Sequence, residues 1–148
     1  MSAGRRSARR QAVFILYQQD LLGLSSEEAL ERIGVEDLDP YSRSLVLGTA
    51  RERERIDEIL ERHVAGWSLE RLGTLERSIL RLAVYELLWV AVVPEAVAID
   101  QAIELAKRFC SDEAGALING ILGSIALSEG EHIREIRKGQ GNSLGVTI

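Results

Sequence analysis

Little in this chain of 148 residues either breaks a helix or staples a fold. It has one cysteine, Cys110, two prolines, Pro40 and Pro94, and only 5% aromatic residues. A single cysteine excludes an internal disulfide and a cysteine-rich metal site, and it suits a reducing cytoplasm. His63 and His132 are isolated, with no carboxylate or second histidine at metal-ligand spacing. The glycines are scattered and follow no strand pattern, so no phosphate loop is present. The longest apolar run, Leu82 to Val93, contains Glu86 and is shorter than the roughly 20 residues a membrane span needs. The basic N-terminus lacks the apolar segment of a signal peptide behind it. β-branched runs are short. What is left is an all-α reading, with no catalytic residue, metal site or cofactor, and no membrane.

What the chain does have is charge, unevenly spread. The net charge is −5, yet Arg5, Arg6, Arg9 and Arg10 crowd the first ten residues, which hold no acidic residue. An acidic body therefore carries one basic end, which suggests a local anion-binding patch. Apolar content is 46%, ordinary for a folded protein, and the length fits one domain or two small subdomains sharing a core.

The spacing of apolar residues organises the chain around Leu75 to Ala91. Leu75, Ile79, Leu82, Ala83 and Leu87 lie on one helical face, and Leu80, Val84, Leu88 and Val90 fill much of the rest. A helix apolar nearly all round is surrounded by other helices. Thr74 is its expected N-cap and Pro94 stops the chain beyond it. Its few polar residues, Glu76, Arg77, Ser78, Arg81, Tyr85 and Glu86, are expected on a narrow exposed face, a solvated stripe or a contact surface.

In chain order, residues 1–6 read as flexible, and a first helix runs from about Ser7 to Leu24. Its arginines and Tyr17 can share neighbouring faces, an arrangement able to contact RNA phosphates and stack on a base, though basic N-termini are common. Tyr17 fits a core position equally well. Ser25 and Glu28 form a capping box for a short helix. Asp39-Pro40 opens a long helix to about Ala65, whose RERER segment reads as a solvated face. Gly48 allows a close helix contact or a bend. Ser68 caps a short turn at Leu69–Leu72. A helix follows Pro94 to Phe109, and Ser111 or Asp112 caps a last one. Within it, Asn119-Gly120 is unusual because both are poor helix formers; Gly120 allows close packing, or Asn119 offers its amide to a ligand or an interhelical partner. Residues 1–128 read as a single helical domain and 129–148 as a polar, Gly-rich tail.

Several of these stretches together resemble the NusB family. They are Arg5-Arg6-Ser7-Ala8-Arg9 with Ala12-Val13 and Leu16-Tyr17; Leu75-Glu76-Arg77 with Ile79-Leu80-Arg81 and Tyr85-Glu86-Leu87; Val93-Pro94 with Val97-Ala98-Ile99-Asp100 and Ala102 to Lys107; and Ile118 to Leu122. The resemblance implies about seven helices in two packed small bundles. It implies a transcription antitermination factor that is not an enzyme. Such a protein binds the boxA element of ribosomal RNA leaders with NusE, a small-subunit ribosomal protein, and joins the elongating RNA polymerase complex. Carried onto this chain, it places RNA contacts at Arg5, Arg6, Arg9 and Tyr17, with Arg10 beside them. Further RNA contacts fall around Asp112, Glu113, Leu117 and Asn119, and a NusE-facing surface at Glu76, Arg81 and Tyr85. The family usually has phenylalanine where this chain has Leu117, and often serine where it has Ala114. Leucine cannot stack on a base, so Tyr17 and Arg10 would carry more of the binding, or the binding would be weaker.

Two other classes compete. One is a protein-interaction module of the same fold, self-associating as a homodimer that covers the RNA face. The other is an enzyme, which the lack of any nucleophile–base pairing disfavours.

Overall fold

The structure, a computed structural model, describes residues 2–34, 36–64, 66 and 68–130. The tail predicted beyond Ser128 lies almost wholly outside these residues. Among the described residues there are seven α-helices and a 3-10 turn: α1 (Ser2–Leu22), α2 (Ser26–Glu31), α3 (Pro40–Arg51), α4 (Arg53–Glu61), the turn Leu69–Arg71, α5 (Thr74–Trp89), α6 (Glu95–Phe109) and α7 (Asp112–Ser128).

Local chemistry sets the helix ends. Ser25 accepts a hydrogen bond from the Glu28 N–H, and the Glu28 carboxylate accepts one from the Ser25 N–H, closing the expected capping box. Asp39 accepts from the Tyr41 N–H at 2.8 Å, with Pro40 in the first turn. Ser111, rather than Asp112, caps α7 by accepting from the Ala114 N–H. Gly23 ends α1 at φ +66°, a conformation that favours glycine.

Several boundaries differ from those the sequence predicts. Helix α1 begins at Ser2, so residues 2–6 are helical rather than loose. Gly73, not Thr74, is the N-cap of α5, and the Glu76 carboxylate accepts its N–H at 2.9 Å. The long helix from Pro40 is two helices, interrupted at Glu52 (φ −99°, ψ 12°), and α4 ends at Glu61. The break lets Ile56, Ile59 and Leu60 turn into the core while α3 follows α1.

Helix α5 is the axle. It packs against α1, α3, α4, α6 and α7, joining an α1–α3 group to an α6–α7 hairpin. Ile79, Leu80, Leu87 and Leu88 are all but fully buried on it. Truncating such a side chain to alanine costs about 2–5 kcal/mol. Gly48 is where α3 crosses α5: a Cβ there would stand 2.1 Å from Tyr85 Cζ. The expected close contact is therefore real at Gly48. At Gly120, which is exposed with nothing near its Cβ direction, the close-packing reading fails; the close approach on α7 is at Gly115, against Lys107.

The polar face predicted on α5 is also corrected. Ser78, Arg81 and Glu86 are buried, because each has a partner on a neighbouring element or in its own helix. Among the described residues no helix is long and apolar enough to cross a membrane.

Candidate nucleic-acid interface

The four N-terminal arginines, spaced along one helix, part company in three dimensions. At about 100° per residue, Arg6 and Arg10 (i, i+4) share the outer face of α1, while Arg9 points inward. Arg9 is 5% exposed, and its Nε donates to the two carboxylate oxygens of Glu86 on α5 at 2.8 Å and 2.9 Å. The Tyr41 hydroxyl donates to the same carboxylate at 2.5 Å. Burial first, then the charge and hydrogen bond of Glu86, push the Tyr41 hydroxyl far above its ordinary pKa, so it stays a donor. Arg5 lies over the Tyr41 ring at 3.7 Å. The expectation that Arg9 meets RNA directly is thus corrected for its Nε, which is spent inside the protein. Ser42 donating to the Ala8 carbonyl, and Gln11 bridging the Asp37 carbonyl and the Asp39 N–H, pin the same helix to α3.

Arg6 and Arg10 line a groove between α1 and α6 of about 170 Å³. Its other walls are Ser7, Gln101, Glu104, Leu105 and Arg108. The sequence reading missed Arg108. Its signal was there: Gln101, Glu104 and Arg108 recur at helical spacing on α6, which places them on one face. Arg6 Nε is 3.7 Å from Glu104.

One turn beyond Arg10 on α1, Phe14 opens an aromatic cluster. Phe14 meets Phe109 edge-on at 5.0 Å and Tyr17 edge-on at 6.5 Å. The Phe14–Phe109 contact brings the α6–α7 turn to α1, and with it the start of α7. There Asp112, Glu113, Leu117 and Asn119 are all exposed, Leu117 at 37%. Asp112 and Glu113 also suit the positive end of the α7 dipole. Cys110, in the turn, is half-buried, and burial, with Glu76 nearby, raises its thiol pKa. That is the opposite of an activated nucleophile.

The residues assigned to a protein partner separate as well. Arg81 is 8% exposed and holds Asp57 through two hydrogen bonds, with Asp20 at 3.4 Å. It is an internal residue, not a surface one. Glu76 is committed to the helix cap. Tyr85 keeps part of its surface, stacked on Trp89 at 6.1 Å, with Arg51 reaching its hydroxyl and Arg55 over Trp89. The RERER segment therefore only partly faces solvent.

His63 is tied to α7. Its Nδ1 and Nε2 lie 2.8 Å and 3.1 Å from the hydroxyls of Ser124 and Ser128, one turn apart on α7. Among the described residues no three His, Cys, Asp or Glu side chains converge as a metal site would require.

The NusB family model matches residues 6–127. Transcription antitermination protein NusB of an Exiguobacterium species is 45% identical over 122 residues, 82% of this chain and 95% of that protein. Its counterpart in Saccharopolyspora erythraea is 44% identical over 140 residues, 91% and 94% of the two chains. Among solved structures, T. maritima NusB has a TM-score of 0.79 at 35% identity, covering 91% of this chain and 96% of that one. A NusB bound with NusE and double-stranded RNA gives 0.77 at 30% identity, covering 86% and 99%.

Proposed function

This chain belongs to the NusB family, and from that premise we propose that it is an RNA-binding transcription antitermination factor. It binds the boxA element of ribosomal RNA leader transcripts together with NusE, and the pair joins the elongating RNA polymerase complex. It works in the cytoplasm, by binding and not by catalysis. The observation that carries the reading is the cationic groove between α1 and α6, with the Phe14, Phe109 and Tyr17 ring cluster one turn further along α1.

Each part has a distinct chemical task. Arg6 and Arg10 supply phosphate affinity that weakens with salt, because each neutralised phosphate releases counterions. Tyr17 and the edge of the aromatic cluster offer a face on which an unstacked base can rest. Asp112 and Glu113 cannot attract phosphate; a carboxylate there accepts from base amino groups or a ribose hydroxyl, and Asn119 both donates and accepts. Leu117 contributes apolar contact without stacking. Arg5 and Arg9 act chiefly through position: locked onto Tyr41 and Glu86, they set the rotation of α1 that turns Arg6 and Arg10 outward. For NusE, the surface built on Tyr85, with Glu76 at the other end of α5, is the candidate face, and Arg81 supports it from beneath.

The test is binding of the purified chain to a boxA-like RNA and to a scrambled control at moderate salt, with and without NusE. Selective binding that tightens with NusE is expected. No selectivity even with NusE present would overturn the reading and turn attention to self-association, measured as mass in solution.

A further inference from the structure

The groove between α1 and α6 carries more than the N-terminal arginines. Three guanidinium groups, Arg6 and Arg10 from one helix and Arg108 from the other, face a cavity of about 170 Å³, opposed by one carboxylate, Glu104. Ser7 and Gln101 add neutral hydrogen-bonding groups to the walls. Among the described residues no ion pair neutralises Arg10 or Arg108. Glu104 is held loosely, 3.7 Å from Arg6 Nε and 3.4 Å from Gln101 Nε2, with about half its side chain exposed. Arg108 is steadied by its own neighbour, its guanidinium carbon 5.2 Å from the Phe109 ring centre. The cavity has room for a single tetrahedral anion and its first contacts, and its charge balance favours one.

We propose that this groove clamps one backbone phosphate of the RNA between Arg10 and Arg108, with Glu104 as an internal competitor that the phosphate displaces from Arg6. The proposal rests on the RNA-binding reading. A guanidinium from each helix gives the phosphate two planar forks approaching from opposite sides, a geometry suited to an anion with several acceptor oxygens. Glu104 lowers the affinity of the empty groove for stray anions, because a ligand must outcompete a carboxylate already there. It leaves the groove open to a phosphate delivered by an RNA held elsewhere along α1.

The experiment measures affinity of the full chain for a boxA-like RNA across a series of salt concentrations. Arg108→Ala should weaken binding on the order of tenfold and reduce the slope of log affinity against log salt by about 1, while Arg108→Lys keeps most of the slope. Glu104→Gln should tighten binding and leave thermal stability unchanged. An RNA with one phosphate replaced by neutral methylphosphonate locates the contact: at the clamped position it weakens binding to the unmodified chain and has little further effect on Arg108→Ala. Unchanged affinity and slope in Arg108→Ala would overturn the clamp while leaving the RNA reading intact. Absence of RNA binding by the unmodified chain would overturn the reading itself, and the clamp with it. Inorganic phosphate displacing the RNA at micromolar concentration, at constant ionic strength, would make the groove a free-phosphate site and overturn the clamp as stated.

Discussion

Glu86 has no solvent exposure, yet its carboxylate meets Arg9 from α1 and Tyr41 from α3. Removing one partner of a buried ion pair strands the other, at about 3–5 kcal/mol. Arg9→Ala and Glu86→Gln are each expected to lower unfolding free energy by that order in a urea titration. Replacing both by apolar residues of similar volume should cost much less. Tyr41→Phe, which removes one hydrogen bond to a charged group, should cost about 1.5–3 kcal/mol. Arg6→Ala should leave stability unchanged and weaken RNA binding. Arg6 and Arg9 look alike in the sequence; they part because helical rotation sends one to solvent and the other towards α5. A destabilised Arg6→Ala, or a fully stable Arg9→Ala, would reverse these assignments.

Between helices, the tightest constraint is the crossing of α3 on α5. Alanine usually favours a helix over glycine by about 1 kcal/mol. At Gly48 the added Cβ would instead collide with the Tyr85 ring. Gly48→Ala is therefore expected to destabilise by about 1–3 kcal/mol, the range for overpacking. Combining it with Tyr85→Ala should recover much of the Gly48 penalty, a coupling that a double-mutant cycle reads directly. Simple addition of the two losses would mean that α3 shifts rather than clashes. The capping box of α2 is a purely local feature: Ser25→Ala should cost about 1 kcal/mol in a urea titration. Such caps were legible in the sequence because their donors and acceptors lie within a few residues. The break at Glu52 was not, since Gly48 one turn earlier signalled a close contact as much as a bend and the gain lies in how Ile56 and Leu60 meet distant helices.

Across the whole molecule, Asp20 gathers three helices. Its carboxylate on α1 meets Arg53 of α4 at 3.5 Å and Arg77 and Arg81 of α5 at 3.1 Å and 3.4 Å. Burial works to raise its pKa, but the Arg77 hydrogen bond and the charges of Arg81, Arg77 and Arg53 outweigh it, and the carboxyl titrates below its ordinary value. A carboxyl lowered by folding stabilises fully above its unfolded pKa, and loses that contribution as pH falls through the folded value. Stability should therefore fall on acidification below about pH 4. Asp20→Asn should lower stability at neutral pH and flatten that part of the acid limb, measured by chemical unfolding at several pH values. An unchanged acid limb would mean that the cluster holds no net stability.

The sequence by itself determined the helical class, the axial role of α5, the helix starts marked by Ser25, Asp39-Pro40, Pro94 and Ser111, and the basic N-terminus. These follow from apolar periodicity, local capping and composition, which act over one or two turns. Only the tertiary structure decided which charges face water. Arg9, Arg81 and Glu86 are as polar as their exposed neighbours, and whether each is buried depends on a carboxylate, guanidinium or hydroxyl brought to it from far along the chain. The same holds for Arg108, which joins Arg6 and Arg10 only because α6 packs beside α1.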